Sequence, residues 1–466
     1  MSALPPGFFS RAAGIVGSPF VLQDVASREA YGTDGTKKGA PADLVVLPGT
    51  TAEVAEVAKL CSSERVPIVA RGAGTGYTGG AVPTRGGIVL SFERMNRILE
   101  IDPVNLLARV QPNVITGDLQ DAVEKVGLFY PPDPASLGQS ALGGNVAECA
   151  GGPRAFKYGT TKRYVLALEA VLASGEIIRT GSKAVKNVVG YDLTQLLVGS
   201  EGTLAIITEI TLRLIPRPPS AATLLAEFGN IEAAVDAVTR LIQLRVVPAA
   251  VELIDGASLD ALAAHLGWSV AQPGTRAVVL IEVDGMSAAV EEEIELVDRA
   301  CRAAQAVVVR RAKSDEERNM LWAARRELSP ALKKISRIKL NNDIVVPRGR
   351  IPELFALVSE IQTESGLPIA SFGHAGDGNI HVNIMIPEDG REQSDALARG
   401  ERAVRRLFEG VVALEGSISG EHGIGITKAP YLGLELSRIE IALMKRVKAA
   451  FDPNGILNPG KIFPDG

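Results

Sequence analysis

Short runs of apolar residues alternate along this chain with segments in which apolar residues recur every three or four positions. Residues 1–40 keep neither pattern for long and predict an irregular or short-helical leader. The run "ADLVVLPGT" then predicts a strand, and "TAEVAEVAKLCSSERV" predicts an amphipathic helix that begins near Thr51. A strand, a long glycine-rich loop and another strand follow in "VPIVARGAGTGYTGGAVPTRGGIVLSF". Strand-rich sequence continues to about residue 215, where "PRPPS" indicates a linker.

Beyond this linker, strand patterns and helix patterns take turns. The predicted strands are "TLLAEF", "AAVELID", "RAVVLIEVDG" and "VVVRRA", and the predicted helices between them are "IEAAVDAVTRLIQL", "ASLDALAAHL" and "SAAVEEEIELVDRACRAAQA". This alternation predicts a ferredoxin-like open sheet. The last part of the chain adds the strands "LPIASFGH" and "NIHVNIMIP", more helix, and the tail "FDPNGILNPGKIFP". The fold class that follows is α+β.

The length and charge of the chain narrow the kinds of partner. A chain of 466 residues exceeds the size at which one hydrophobic core keeps growing, so two or three domains are expected. The 49 Lys and Arg residues are outnumbered by 54 Asp and Glu residues, and the net charge of −5 argues against binding to nucleic acid or to an anionic membrane. Small molecules are therefore the expected partners.

Cysteine usage and hydropathy indicate the compartment. Cys61, Cys149 and Cys301 show neither pairing nor CxxC spacing, which is typical of a reducing cytoplasm. No apolar run is long enough for a membrane span, and the broken N-terminal run "RAAGIVGSPFVL" does not predict a signal peptide. We therefore expect a cytoplasmic protein.

The first glycine-rich loop contains a G-x-G-x-x-G pattern at Gly74, Gly76 and Gly79, which a Rossmann fold would place at the start of a helix. Here Pro83 and further glycines follow before another strand, so the loop joins two strands. This argues against a Rossmann fold and against an NAD-dependent dehydrogenase. The many backbone N–H groups of residues 71–81 can instead surround a diphosphate. A flexible surface hairpin is the alternative interpretation.

Three of the four histidines lie in two glycine-rich turns, "SFGHAGDGNIHVN" and "SGEHGIG". In the first turn, His374 ends one predicted strand and His381 begins the next, so a hairpin would bring both imidazoles to one spot, with Asp377 in the turn. Such a pair can also be a simple polar contact. Glu421, in the second turn, adds a carboxylate, and two histidines plus one carboxylate form a recognised zinc arrangement. The sequence thus predicts a divalent metal site, with Zn2+ as the expected ion.

Residues beside these ligands complete the predicted chemistry. His422 follows Glu421 and remains available for proton transfer, because an unperturbed histidine titrates near neutral pH. Asn383 lies two residues beyond His381 and would face the same pocket. His265, in "DALAAHLGW", is expected on the surface or in the core of a helix.

A second glycine-rich segment, residues 131–161, shows almost no periodicity over about 30 residues, and loops of that length are usually functional. The order of "PIVARGAGTGYTGG", "PPDPASLGQSALGGNVAECAGG", "YGTT", "LLVGSEGTLAIITEITLRL" and "NPGKIF" resembles the FAD-linked oxidase family, which has the vanillyl-alcohol-oxidase fold. The branch that it most resembles contains bacterial glycolate oxidase catalytic subunits, D-lactate dehydrogenases and D-2-hydroxyglutarate dehydrogenases. The resemblance covers about residues 40–466.

This resemblance implies a two-domain organisation. After the leader of residues 1–40, an FAD-binding domain is expected over residues 41–218. A ferredoxin-like antiparallel-sheet substrate (cap) domain with the metal site is expected over residues 219–425. Residues 426–466 would form a C-terminal helix and a tail that returns to the flavin domain.

The resemblance also implies which residues bind FAD. The pyrophosphate would be wrapped by Arg71, Gly72, Ala73, Gly74, Thr75, Gly76, Thr78, Gly79 and Gly80. The flavin and its ribityl chain would be lined by Pro132, Ser136, Gly143, Gly144 and Asn145. Further cofactor contacts are expected from Asp133, Glu148, Gly152, Tyr158, Gly159, Glu201, Gly202, Ile206, Asn458 and Lys461. Because residues 71–81 contain no histidine or cysteine for covalent attachment, non-covalent FAD is implied.

For the substrate, the resemblance matches Arg325 in "LWAARRELSP" to an arginine that grips the substrate carboxylate, a role that suits a planar guanidinium. An ordinary solvated helix charge next to Arg326 is the alternative. The other expected substrate contacts are Ser329, Lys339 and Asn383. Some D-2-hydroxyglutarate dehydrogenases have a lysine where this chain has Asn341, and this departure argues against a dicarboxylate substrate. The metal ligands of the family match His374, His381 and Glu421.

The function that these expectations support is FAD-dependent, metal-assisted oxidation of a short (R)-2-hydroxy acid, such as D-lactate or glycolate, to the 2-oxo acid. Hydride would pass to flavin N5, and His422 would be the catalytic base. Two alternatives remain open: an FAD oxidase of another alcohol or sugar acid, and a non-catalytic flavin subunit that relays electrons. The expected electron acceptor is an electron-transfer flavoprotein, a quinone or an iron–sulfur subunit. A homodimer and peripheral attachment at the inner face of the membrane through a partner are compatible with the sequence.

Overall fold

The computed structural model describes residues 4–36, 39–336, 338–387 and 390–463. The chain divides into two compact units. Unit 1 comprises Met1–Gly151, Thr160–Arg217 and Glu421–Gly466, and unit 2 comprises Gly152–Gly159 and Pro218–Gly420. Residues 152–159 thus group with unit 2, whereas the expected boundaries put them in the flavin domain. Residues 421–425 group with unit 1 rather than with the expected cap domain.

Strands and helices alternate through both units. The strands are β1 (Val21–Leu22), β2 (Leu44–Val46), β3 (Ile68–Arg71), β4 (Ile88–Ser91), β5 (Ile98–Asp102), β6 (Leu107–Val110), β7 (Leu128–Phe129), β8 (Val165–Val171), β9 (Ile177–Gly181), β10 (Ile206–Arg213), β11 (Ile215–Pro216), β12 (Ser220–Phe228), β13 (Ala250–Asp255), β14 (Ala277–Gly285), β15 (Val308–Arg311), β16 (Ile338–Val345), β17 (Ile369–His374) and β18 (Asn379–Ile386).

The α-helices are α1 (Phe8–Val16), α2 (Val25–Tyr31), α3 (Thr51–Glu64), α4 (Thr116–Glu124), α5 (Leu142–Glu148), α6 (Ala155–Tyr158), α7 (Leu193–Leu197), α8 (Ile231–Gln243), α9 (Gly256–Leu266), α10 (Ser287–Ala303), α11 (Asp315–Arg326), α12 (Leu328–Ile335), α13 (Ile351–Ser365), α14 (Gly390–Ala413), α15 (Leu432–Glu435) and α16 (Arg438–Phe451). Short 3-10 helices lie at Ser18–Phe20, Thr161–Arg163, Arg348–Arg350 and Ala429–Tyr431.

Unit 1 contains two larger sheets. In the first, of order β1-β2-β4-β3, the pairs β2–β4 and β3–β4 are parallel. The second is antiparallel, with the order β5-β6-β10-β8-β9. Residues 72–87 join the parallel strands β3 and β4 without forming a helix. The prediction that this glycine-rich loop joins strand to strand and does not open a Rossmann helix is therefore confirmed.

Two predictions about local structure, for residues 131–161 and for the helix near Thr51, differ from the structure in detail. Residues 131–161 were expected to lack regular structure, yet they contain the short helices α5 and α6 and begin a 3-10 helix at Thr161. Seven or fewer residues are too few to show helical periodicity in a sequence, which explains the error. The helix expected near Thr51 is confirmed, and its cap is Thr50, whose hydroxyl accepts a hydrogen bond from the Glu53 N–H at 3.1 Å.

Unit 2 is built on a seven-stranded antiparallel sheet of order β15-β12-β14-β13-β17-β18-β16. Its first four strands in the chain, β12 to β15, stand in the order fourth, first, third, second, which is the ferredoxin-like arrangement. The predicted ferredoxin-like sheet is thus confirmed, and β16, β17 and β18 extend it. Apolar side chains of α9, α11 and α12 pack on one face of the sheet around Ile254 and Phe372.

Candidate active site

The two histidines of the first turn lie on the β17–β18 hairpin of unit 2. Register places His374 opposite Asn379 and Phe372 opposite His381, so all four side chains share one face of the sheet. The imidazole centroids are 5.4 Å apart with the rings nearly perpendicular at 86°, and both side chains are buried. The predicted hairpin is confirmed. His381 is the third residue of β18 rather than its first, so the imidazoles are diagonal neighbours instead of a directly opposed pair.

A buried glutamate that was absent from the expected site residues connects His374 to the predicted arginine. Glu252 lies opposite His374 in the β13–β17 pair and is fully buried. Its Oε1 lies 2.5 Å from His374 Nδ1, and its Oε2 accepts from Arg325 Nε at 2.5 Å. Burial alone would raise the pKa of Glu252, but the guanidinium and the imidazole outweigh it and hold that pKa at about 2. Glu252 is therefore a carboxylate at neutral pH.

This contact determines how His374 can bind a cation. A carboxylate can only accept hydrogen bonds, so His374 Nδ1 carries the proton in the pair. The lone pair of a neutral ring then lies on Nε2, which is the usual arrangement of a metal-binding histidine backed by a carboxylate. The donor set of two buried imidazoles, one of them backed in this way, fits a divalent cation such as Zn2+.

The neighbouring arginines differ in their surroundings. Arg325 is 6% exposed, contacts Glu252, and has its guanidinium carbon 4.8 Å from the ring centroid of Phe372. Arg326 is exposed. The Nε and Nη2 edge of the Arg325 guanidinium faces Glu252, and the Nη1 end is not used in that contact. Arg325 is thus the arginine that the fold places on the histidine-bearing face of the sheet.

Strand β16 adds polar side chains to the same face. Register puts Asp343 opposite His381, Asn341 opposite Asn383, and Lys339 opposite Met385. Lys339 Nζ donates to the hydroxyl of Ser329 in α12 at 3.0 Å. The expected substrate residues Ser329, Lys339 and Asn383 therefore all lie in unit 2 on the histidine-bearing side of the sheet.

Two side-chain amide oxygens on this face are buried without a hydrogen-bond donor among the described residues. Within the described part of the chain, the buried Oδ1 atoms of Asn383 and Asn341 accept no hydrogen bond. The Asn383 amide nitrogen donates to Ala370 O at 3.2 Å and to His381 O at 3.1 Å, which fixes the direction of its oxygen. Buried acceptors are rarely left without a partner, so these oxygens suit a bound polar molecule.

Asp343 organises the chain beside His381. Its Oδ1 lies 4.0 Å from His381 Nδ1 and accepts from Asn379 Nδ2 at 2.6 Å. Its Oδ2 accepts from the Gly420 N–H at 3.0 Å. Gly420 is the last residue of unit 2, directly before Glu421 and His422. Asp343, like Glu252, was absent from the expected site residues.

The glycine-rich loop of unit 1 fits a diphosphate. The backbone N–H groups of residues 73–76 donate to no acceptor within the described residues. Gly74 has φ +68° and Gly79 has φ +79°, and a Cβ on Gly79 would lie 2.4 Å from Ile426 Cγ1. A cavity of about 210 Å3 reaches the start of the loop and is lined by Ala30, Tyr31, Arg71, Gly72, Ala73, Glu93 and Asn113. Unpaired donors beside an arginine suit an anionic pyrophosphate.

Several other expected cofactor residues of unit 1 make hydrogen bonds within that unit, and Asn458 and Lys461 bond to the loop itself. Asn145 donates to Thr116 Oγ1 at 2.6 Å, Asn458 donates to Gly80 O at 2.9 Å, and Lys461 donates to Val82 O at 2.7 Å. A Cβ on Gly80 would lie 2.7 Å from Glu148 Oε1, so Glu148 stands directly behind the loop. Burial, followed by the charges of Glu201 and Asp34, raises the pKa of Glu148.

The remaining expected cofactor residues have varied surroundings. Pro132, Asp133 and Ser136 precede α5, and Gly143 and Gly144 lie within it. Gly202 has φ +66°, and Ile206 is buried in the core of unit 1. Gly152, Tyr158 and Gly159 belong to unit 2, where the Tyr158 hydroxyl donates to Asp284 Oδ2 at 2.7 Å.

The turn that carries His422 is held within unit 1. The His422 ring stacks on Tyr77 with centroids 5.6 Å apart and 28° between the planes. The Glu201 carboxylate accepts from the N–H groups of Ile424 at 2.8 Å and Gly425 at 2.7 Å. Glu201, expected to contact FAD, thus has its carboxylate on the backbone that follows His422. A Cβ on Gly151 would lie 2.5 Å from Glu421 Oε2, so this glycine leaves room for that carboxylate.

His265, which was expected to be an ordinary helix residue, lies in α9 with its Nε2 atom 3.0 Å from Glu327 Oε2.

Signals for the missed residues do exist in the sequence. Glu252 stands within the apolar strand "AAVELID", where a charge is rarely left unpaired. The sequence does not reveal its partners, because they lie far away along the chain.

The chain is similar to known protein families over most of its length. Residues 217–462 match the family described as "FAD linked oxidases, C-terminal domain", and residues 42–181 match the "FAD binding domain". The chain belongs to the FAD-linked oxidases. The predicted family, the predicted oxidoreductase class and the predicted cofactor FAD are thereby confirmed.

Individual relatives agree with this assignment. The glycolate oxidase subunit GlcD of Bacillus subtilis is 45% identical over 441 residues, which are 94% of this chain and 93% of that protein. The D-lactate dehydrogenase of Anaerostipes hadrus is 37% identical over 426 residues, 90% of this chain and 89% of that protein. The solved structure of p-cresol methylhydroxylase with substrate bound has a TM-score of 0.81 and 18% identity, covering 98% of this chain and 96% of that chain. This structural similarity concerns the fold and confirms the predicted vanillyl-alcohol-oxidase-type architecture.

Within the described residues, no helix combines the length and the apolar composition that crossing a lipid bilayer requires.

Proposed function

We propose that this protein oxidises a short (R)-2-hydroxy acid, such as D-lactate or glycolate, to the 2-oxo acid with FAD and a divalent metal, most simply Zn2+. The names of the two relatives reported above support the substrate class. The observation that carries the proposal is the Glu252 carboxylate, which holds His374 and Arg325 side by side. A 2-hydroxy acid carries its hydroxyl and its carboxylate on adjacent carbons. The hydroxyl suits the metal that His374 would bind, and the carboxylate suits the guanidinium of Arg325 beside it.

The proposed metal ligands are His374, His381 and Glu421. The two buried imidazoles of the hairpin support the first two ligands. Chain connectivity supports the third, because Glu421 directly follows Gly420, whose N–H is held by Asp343 at 3.0 Å. Consecutive Cα atoms are about 3.8 Å apart, so little chain separates Glu421 from the strand that pairs with His381.

Bound FAD supplies the acceptor for the hydride that leaves the substrate α-carbon, and a bound divalent cation lowers the pKa of the substrate hydroxyl. The side chains orient the substrate for this reaction. Arg325 offers the Nη1 end of its guanidinium to the substrate carboxylate. We assign His422 as the base that takes the hydroxyl proton, with its ring supported by Tyr77.

In the proposed reaction, the substrate loses one proton and one hydride and becomes a 2-oxo acid. The electrons must then leave the flavin. An electron-transfer flavoprotein, a quinone or an iron–sulfur subunit remain the proposed acceptors.

The proposal is tested by anaerobic bleaching of the flavin with 2-hydroxy acids of both hands. We expect D-lactate or glycolate to reduce the wild-type flavin and L-lactate to leave it oxidised. Arg325→Lys should raise the half-saturating hydroxy-acid concentration about tenfold or more, because an ammonium cannot replace the planar grip of a guanidinium. The exposed neighbour gives a matched control, Arg326→Lys, which should behave as wild type. Bleaching by an alcohol without a carboxylate, but by no hydroxy acid, would overturn the proposal.

A further inference from the structure

One buried carboxylate contacts both halves of the proposed site. Glu252 lies on β13 between its neighbours β14 and β17 and has no exposed surface. Its two oxygens are divided between two partners: Oε1 faces His374 Nδ1 at 2.5 Å, and Oε2 faces both Nε and Nη2 of Arg325 at 2.5 Å. Each oxygen thus contacts a different side chain.

A purely structural ion pair would not need this division. Burying a carboxylate is costly, and an apolar residue of similar size often stabilises a core as well as an ion pair does. The two partners of Glu252 are moreover on different elements, β17 and α11. The carboxylate therefore fixes the relative positions of an imidazole and a guanidinium that no local structure connects.

The contacts act on each partner in a defined way. On His374, the acceptor at Nδ1 keeps the proton there, so the lone pair of the neutral ring lies on Nε2, the atom that would bind a cation. On Arg325, the contact takes the Nε and Nη2 edge and leaves the Nη1 end for a substrate carboxylate. Phe372 lies beneath the guanidinium, 4.8 Å from its central carbon, and limits its other orientations.

We propose that Glu252 is a positioning residue that simultaneously presents His374 Nε2 to the metal and the Nη1 end of Arg325 to the hydroxy-acid carboxylate. This inference rests on the proposed function and deepens it. Its consequence is that one side chain controls both metal affinity and substrate affinity, although it touches neither ligand.

The decisive variant is Glu252→Gln, because a carboxamide has only one acceptor oxygen. If that oxygen faces Arg325, the amide NH2 faces His374 Nδ1 and moves the ring proton to Nε2, which weakens metal binding because that proton must first be displaced. If the oxygen faces His374, the NH2 faces the guanidinium and displaces it. We therefore expect zinc affinity to fall by about 10- to 100-fold, or the KM for D-lactate to rise by a similar factor, or both.

A buried glutamate elsewhere in the same sheet provides the matched control. Glu282 on β14 is 7% exposed and accepts from Thr223 Oγ1 at 2.9 Å and from Trp322 Nε1 at 2.8 Å, without touching His374 or Arg325. Glu282→Gln should leave zinc affinity and KM unchanged, whatever it does to stability. Zinc affinity is measured by chelator competition, KM and kcat by anaerobic flavin reduction, and stability by thermal unfolding.

The outcomes separate the possibilities. Wild-type zinc affinity and KM in Glu252→Gln would overturn the inference, as would equal site effects in Glu282→Gln. If Glu252→Gln does not retain FAD, Glu252→Asp takes its place: it keeps the charge but is one methylene too short to reach both partners, so wild-type values for it would also overturn the inference. A wild-type protein that binds no zinc and is bleached by no hydroxy acid would instead refute the proposed function, and the inference with it.

Discussion

Charged side chains lie together on one face of the unit 2 sheet, where Asp343, Glu252 and Arg325 are buried and Lys339 is half-buried. Burying such groups is unfavourable unless each has a partner, so their concentration in one place makes this face a candidate site. Lys339 and Arg325 were predicted from the family resemblance. Glu252 and Asp343 were not predicted, because their importance depends on partners that only the folded chain brings together.

Lys339 should make substrate binding depend on pH. Burial, followed by the charge of Lys333, lowers the pKa of Lys339 to about 7. Its ammonium is therefore lost as the pH rises through about 7, and the KM for a hydroxy acid should increase over that range. Lys339→Met should already have a raised KM below pH 7 and should lose this pH dependence, whereas Lys339→Arg should retain tight binding at higher pH. A wild-type KM that stays constant from about pH 6 to about pH 8 would contradict this role.

Stability offers an independent readout of the same group. The folded-state pKa of about 7 lies below the ordinary value of 10.5, so between these values the unfolded chain binds the extra proton. The contribution of Lys339 to the free energy of unfolding must therefore rise with pH across this window. Lys339→Met should remove that rise, as measured by denaturant unfolding at several pH values.

Among the elements, the β17–β18 hairpin was the most predictable part of the site. Its strands show local β patterns and its turn "AGDG" has hairpin chemistry, so neighbouring residues in the sequence suffice to predict it. The pairing of β13 with β17 brings Glu252 to His374 across 122 positions of the chain. Periodicity reports which face of a strand is apolar but not which distant strand lies beside it, and for this reason the glutamate could not be placed from the sequence.

The turn of this hairpin depends on Gly378. It has φ +87°, and a Cβ there would lie 2.0 Å from the backbone oxygen of Val346. Gly378→Ala should therefore cost about 1–3 kcal/mol in strain alone and should shift His374 away from His381. We expect a lower Tm and a loss of bound zinc. Gly349→Ala is the control, because a Cβ on Gly349 meets open space. Equal Tm and zinc content in both variants would show that the turn does not hold the histidines.

At the scale of the whole molecule, unit 1 is assembled from three separate parts of the chain. Its C-terminal part reaches the glycine-rich loop through Asn458, whose buried amide donates to Gly80 O at 2.9 Å and to Glu201 O at 2.8 Å. The sequence motifs identified this flavin-binding unit because its loop and tail contacts are concentrated in short, glycine-rich segments. How three segments share one unit could not be read from local patterns, since the bonds span more than 250 residues.

This arrangement predicts that a residue far from the loop in sequence controls retention of FAD. Asn458→Ala leaves two buried carbonyls without their donor, which costs about 1–3 kcal/mol for each group and frees the loop to move. We expect FAD affinity to fall about tenfold or more, measured as flavin retained through gel filtration and by titration of the stripped protein with FAD. Asn454→Ala, which removes an exposed contact to Ser62, should retain FAD as wild type does. Because no histidine or cysteine lies in residues 71–81, denaturing either protein should release all its flavin into solution. Flavin that stays with the precipitate would show a covalent bond, and equal retention in the two variants would remove Asn458 from the support of the loop.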